Sequence, residues 1–190
     1  FVQAVKDYTD YGNAAVDCPG HQGGQFFRKH PAGRRFFLYF GETLFRADSC
    51  NADVRLGDLL IHEGPAYAAQ AHAAKVYNAD KTYFVLNGTS AANKVCINAL
   101  VAHGDLVLFD RNNHKSVHQG ALTMSGGIPV YMQTARNAYG LIGGIPAADF
   151  DEQTIRARIR EVAPVRADEA RPFRLAVIQL GTYDGQIYNA

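Results

Sequence analysis

The stretch Leu106-Val107-Leu108-Phe109-Asp110-Arg111-Asn112-Asn113-His114-Lys115-Ser116 runs four apolar residues directly into seven polar ones. An apolar run with no polar alternation reads as a short strand buried on both faces. The polar residues crowd its carboxyl end, which is the edge where open α/β sheets hold their ligands.

The chain on either side repeats this pattern. Residues 113–124 read as a helix closed by Gly126-Gly127, and residues 128–132 as the next strand. Upstream, residues 91–102 are helical and His103-Gly104 stops them. Thr82-Tyr83-Phe84-Val85-Leu86 is β-branched and aromatic, so it reads as a further buried strand. Asn87-Gly88-Thr89-Ser90 is the turn that leaves it. Residues 66–78 are Ala-rich, with apolar residues returning every three or four positions, and Pro65 sits where a first-turn proline is tolerated. Downstream come a Gly-rich loop over 136–146, an amphipathic helix over 151–162 and a strand over 175–180. Strands that alternate with helices predict an α/β fold, its sheet mainly parallel and flanked by helices on both faces. Residues 87–90, 110–116, 133–137 and 181–189 then lie on the ligand edge.

Residues 1–65 differ in character and are expected to form an arm or linker, with residues 66–190 as the first part of a ligand-binding major domain. Pro19-Gly20-His21-Gln22-Gly23-Gly24 reads as loop. Phe36-Phe37-Leu38-Tyr39-Phe40 reads as a strand or a docking segment. The chain has 190 residues, 47% of them hydrophobic and 19% charged, with a net charge of +1. That excludes a disordered tail and argues against a strongly basic nucleic-acid module. No apolar run approaches the roughly 20 residues that span a bilayer, so no membrane is expected. Three widely spaced cysteines, Cys18, Cys50 and Cys96, form no disulfide framework and point to a reducing compartment, the cytoplasm. The sequence opens at Phe1 without Met and stops at Ala190 just after a strand-like segment, so an excerpt of a longer protein is expected.

Several groups are candidates for chemistry. Thr89 and Ser90 stand at a strand-to-helix junction, where two hydroxyls and the open N–H groups of a first helical turn suit an anion; an ordinary helix cap is the alternative. The following residues do not match a P-loop, and no G-x-G-x-x-G follows the first strand, which counts against a nucleotide-binding domain. His114 suits stacking or acid–base work, against the alternative of a solvated loop histidine. Thr182, in Thr182-Tyr183-Asp184-Gly185, could bond a ligand from the sheet edge, or the segment could be a plain turn. His21 and His62-Glu63 lack the close ligand spacing of a zinc site, so no metal is expected. Lys75, Lys81, Lys94 and Lys115 are scattered and read as solvated.

Five segments together resemble a known family: residues 19–24 (PGHQGG), 57–65 (GDLLIHEGP), 83–90 (YFVLNGTS), 108–116 (LFDRNNHKS) and 182–185 (TYDG). In this order they look like the major domain of the large bacterial ornithine/lysine/arginine decarboxylases. FRADSCNAD (45–53) and RPFRLAVIQLGTYDG (171–185) look closest to the ornithine branch.

The resemblance implies a partial large domain of the PLP-dependent transferase type, with a mixed, mainly parallel sheet and pyridoxal 5′-phosphate (PLP) as cofactor. It assigns Thr89 and Ser90 to the cofactor phosphate, His114 to stacking on its ring, as cofactor-binding and catalytic residue at once, and Thr182 to the edge bearing O3′. It implies a small basic amino acid as substrate, ornithine giving putrescine and CO₂, with lysine or arginine as alternatives and polyamine supply or acid stress as the setting. A homodimer and higher oligomers follow, residues 1–65 serving as the arm and His21 and Glu63 approaching a neighbour's site. The family's cofactor-bonding lysine, in a Ser-x-His-Lys segment, and the acid facing the ring nitrogen do not occur in this sequence. Catalysis by these residues alone is therefore not expected, and a non-catalytic assembly piece is the alternative.

Overall fold

The computed structural model describes residues 1–190 except 13, 15, 17, 51, 54 and 188–190. By its contacts the chain divides into two compact units, Phe1–Phe84 and Val85–Ala190. The break falls after Phe84 rather than near residue 65.

The first unit is helical. Helices α1 (Val2–Tyr11), α2 (Pro31–Phe40), α3 (Glu42–Ala47) and α4 (Gly64–Val76) are joined by turns. The aromatic run 36–40 is the second half of α2, not a strand. Pro31 occupies its first turn, and the His30 ring accepts the Ala32 N–H at 3.2 Å, so the helix is nucleated upstream of the aromatic residues. Phe37 is buried and stacks on Phe45 at 5.5 Å between ring centres, and Phe27 and Phe36 pack around the pair. Helix α4 forms where expected, with Ala66, Gln70 and Ala74 as its buried stripe. The turn before α4 folds back on itself. Gly57 and Gly64 both take positive φ, and a Cβ on Gly64 would lie 2.6 Å from the Cα of Gly57.

The second unit is an α/β layer structure. Its strands are β1 (Leu106–Asp110), β2 (Ile128–Met132) and β3 (Phe173–Val177), in the order β2-β1-β3 with both pairings parallel. Central β1 is buried along its whole length. Leu106 and Leu108 face Val130, Met132 and Ile159 of helix α7 (Glu152–Val162). Val107 and Phe109 face Ile97 of helix α5 (Thr89–Leu100) and Val117 of the short helix α6 (Lys115–His118). The helix expected over 113–124 is thus split: α6 gives way to a π-helical turn, Gln119–Met124.

The strand expected over 82–86 is not part of the sheet among the described residues. Its composition suits a strand, but a strand also needs a neighbour to satisfy its backbone. Here Tyr83 and Leu86 are mostly exposed.

Arg158 of α7 pins the end of β2. It donates to the Tyr131 carbonyl at 2.8 Å and pairs with Asp149 at 2.8 Å, while Asp149 also accepts the Gln133 N–H. The Arg158 hydrogen bond holds the Asp149 carboxyl below its ordinary 3.8, and burial opposes this. Stability from a depressed carboxyl is present above the unfolded value and is lost as pH falls through the folded one.

Two outcomes follow. Asp149→Asn should cost about 2 kcal/mol at neutral pH. That loss should shrink as pH drops below the carboxylate range. Urea unfolding of the full-length protein across pH measures both, and a variant as stable as the original at pH 7 would mean the pair contributes nothing. Gly57→Ala should cost roughly 2 kcal/mol or more, because the new methyl meets the backbone of Glu63 and Gly64. An unchanged melting temperature would contradict the close crossing.

Candidate functional site

The loops at the carboxyl ends of β1, β2 and β3 are tied to one another. Asn113 Nδ2 donates to the Asp110 carbonyl at 3.1 Å and to the Val177 carbonyl at 2.9 Å, bridging β1 to the end of β3. Asn112 Nδ2 donates to Thr134 Oγ1, and Arg136 Nη2 donates to Asn112 Oδ1 at 3.3 Å. Asp184 Oδ2 accepts the Ile142 N–H at 2.8 Å, which joins the loops after β2 and β3. The polar run 110–116 is therefore an ordered edge.

Thr89 and Ser90 form the first turn of α5, a helix of 12 residues. Their hydroxyls are exposed and make no hydrogen bond among the described residues. Gly88 precedes them at φ 86°, a backbone conformation that favours glycine, with open space where a side chain would point. The helix start thus presents two hydroxyls and unsatisfied N–H groups to an incoming anion, which the helix dipole also favours.

His114 is linked to that helix. Its Nδ1 lies 2.8 Å from Ser116 Oγ, and it accepts the Ser116 N–H at 3.2 Å. Ser116 is buried, and its Oγ accepts from Asn93 Nδ2 at 3.0 Å. Asn93 lies one turn after Thr89 on α5. The three side chains therefore couple the hydroxyl-bearing turn to the exposed His114 ring.

Thr182 is buried after β3. Its hydroxyl oxygen accepts the Gln186 N–H at 3.0 Å, stapling the turn 182–186. No hydrogen bond joins Thr182 to His114, Thr89 or Ser90 among the described residues. In the first unit, His21 bonds Asp48 at 3.1 Å and accepts the Gly24 N–H, so it fixes a loop. His62 packs between Tyr67 and Tyr83, and Glu63 precedes α4 without capping it.

Sequence reasoning did not single out Asn93, Ser116 or His118. Asn93 had a readable signal: it is four residues before Ile97 and eight before Val101, both buried, and is thus a polar residue on an apolar helix face. His118 lies between the rings of Phe109 and Tyr131, at 4.9 and 5.8 Å. Burial first, and then nearby Arg111, lowers its pKa from 6.5, against the opposing pull of the Asn113 carbonyl and Asp110.

The Orn/Lys/Arg decarboxylase major-domain model matches residues 1–190. The inducible ornithine decarboxylase of Escherichia coli K12 is 70% identical over the whole chain, and the constitutive enzyme of the same strain is 64% identical. The lysine decarboxylase LdcA of Pseudomonas aeruginosa is 43% identical. The solved Francisella novicida lysine decarboxylase LdcF superposes with a TM-score of 0.83 at 39% identity, over 95% of this chain and 24% of that one. The chain spans about a quarter of the length of these relatives: 26% of the inducible enzyme, 27% of the constitutive one and 25% of LdcA. Matched over its whole length by the family model, the chain belongs to the Orn/Lys/Arg decarboxylases and lies within their major domain.

Proposed function

We propose that this chain is the part of a PLP-dependent ornithine decarboxylase that grips the cofactor phosphate and orients one face of its ring, in an enzyme that converts ornithine to putrescine and CO₂. The observation that carries the reading is the coupling of the Thr89–Ser90 turn to His114 through Asn93 and Ser116. It supports a reading in which an anion cradle and a flat side chain share one end of one sheet. The identity gap supports ornithine as substrate: four ornithine decarboxylases are 63–70% identical to this chain, whereas the lysine and arginine enzymes are 39–43% identical.

The residues fit the group. Exposed hydroxyls without partners at a helix N-terminus suit a phosphate dianion. When bound, the cofactor supplies a ring that accepts the electron pair left as CO₂ departs. Thr89 and Ser90 would donate O–H groups to the phosphate, helped by the N–H groups of the first turn. His114 would stack on the ring and hold its plane. Thr182 Oγ1 accepts one hydrogen bond from the Gln186 N–H, and its own hydrogen would be available to the cofactor. Asn112 and Asn113 hold the loop that carries His114.

The reading extends to the setting. Cys18, Cys50 and Cys96 form no disulfide, which supports a cytoplasmic enzyme of polyamine or acid-stress metabolism. No described helix is long and apolar enough to cross a membrane. Leu38 and Tyr39 of α2 are exposed, 67% and 83%, which supports burial of this face in a homodimer or higher oligomer.

The full-length protein carrying this sequence should release CO₂ from ornithine at least about tenfold faster than from lysine or arginine. A preparation inert with all three refutes the reading. Ser90→Ala should weaken cofactor retention by roughly tenfold or more, as expected when a hydrogen bond to a charged group is lost. Dialysis followed by the cofactor's visible absorbance measures it, and unchanged retention removes Ser90 from the phosphate site.

A further inference from the structure

We infer that Asn93 and Ser116 are positioning residues that hold the His114 ring in one plane and one tautomer, with its hydrogen on Nε2. The inference rests on the proposed contact between His114 and the cofactor ring, and deepens it.

The Ser116 backbone N–H points at His114 Nδ1 at 3.2 Å. An N–H can only donate, so Nδ1 must offer a lone pair there. That excludes a hydrogen on Nδ1 and leaves it on Nε2. The Ser116 hydroxyl, 2.8 Å from the same Nδ1, must then donate to it as well. A donating hydroxyl still has lone pairs, and Asn93 Nδ2 fills one of them at 3.0 Å. Every hydrogen in the relay Asn93 → Ser116 → His114 therefore points the same way. The relay is held at both ends: Asn93 lies on α5 one turn beyond Thr89, and Ser116 is 1% exposed. His114 has no second side-chain partner among the described residues, so its ring plane is set by this relay and by its own backbone.

The consequence is geometric. A histidine that is exposed and merely near a ligand can rotate about its side-chain bonds; one whose single Nδ1 lone pair is shared by the Ser116 N–H and hydroxyl cannot without breaking both contacts. The same helix that carries the anion-binding turn also fixes the ring, so the two grips keep a constant relation to each other.

The test uses the full-length holoenzyme and two readouts, the circular dichroism of the cofactor's visible band and turnover of ornithine. The dichroism reports how the cofactor is held and does not depend on turnover. Ser116→Ala removes the hydroxyl but keeps the backbone N–H. It should alter the dichroic band and lower kcat by roughly tenfold or more, since small misorientations at a reacting centre are costly. Asn93→Asp nearly preserves shape but replaces a donor with an acceptor, so it draws the Ser116 hydrogen away from His114. It should change the band in the same direction as Ser116→Ala, with a melting temperature close to that of the original. Ser116→Thr keeps the hydroxyl and should restore the band. If Asn93→Asp and Ser116→Ala leave band and kcat unchanged while His114→Ala alters both, the inference is overturned and the cofactor reading stands. If His114→Ala also changes neither, the inference falls together with the contact it rests on. Should Ser116→Ala fail to fold, Asn93→Asp alone decides.

Discussion

Strand β1 has no free edge and no free face. It pairs in parallel with β2 on one side and β3 on the other, and helices cover it above and below. A strand so enclosed favours apolar residues, and Leu106 through Phe109 are apolar. The chain turns polar at the last residue of β1. The transition is abrupt: Asp110 is fully buried, its Oδ1 accepting the Asn112 N–H at 2.9 Å, and polar residues continue to Ser116. The crowding of chemistry at one edge is thus a consequence of the burial that makes the fold stable.

That edge is rigid because its loops bond each other rather than water alone. Asn113 ties β1 to β3, Asn112 ties β1 to the loop after β2, and Asp184 ties the loops after β2 and β3. Residues on loops so fixed can hold a ligand with the precision usually expected of helices and strands. His118 adds to the packing under this edge. Burial first, and then Arg111, disfavour its charge. A charge there would lie against Phe109 and Tyr131.

The α/β class and the parallel pairing were legible because apolar runs such as Leu106–Phe109 are read directly from sequence, although the strand expected over 175–180 forms earlier, at Phe173–Val177. Residues 82–86 misled for the same reason: composition reports what a segment can do, while pairing depends on a neighbour. The aromatic run 36–40 was legible as apolar but not as helical, since the deciding signals, His30 and Pro31, lie upstream of it. Thr89, Ser90 and His114 stood out by residue type and position. Asn93 had a signal, a polar residue on an apolar helix face, that was passed over, and a Ser in the first turn of a short helix such as Ser116 is too common to stand out. Their meaning appears only when the fold brings two segments 23 residues apart within hydrogen-bond distance.

The acids at this edge bear on how the work of a decarboxylase is divided. Ornithine carries a second ammonium group, which a selective enzyme meets with a carboxylate or with carbonyl oxygens. In the second unit the carboxylates near the strand ends each make a bond that shapes the edge, although Asp110 Oδ2 has no hydrogen-bond partner among the described residues. Asp110 is fully buried beneath the loop, Asp149 is paired with Arg158, and Asp184 accepts a backbone N–H from the neighbouring loop. Releasing any of them would undo a bond that shapes the edge. The hydroxyls of Thr89 and Ser90 and the ring of His114 are exposed at this edge and carry no negative charge to complement an ammonium. On the proposed reading these three residues hold the cofactor, and the ammonium of the substrate would need acceptors other than theirs.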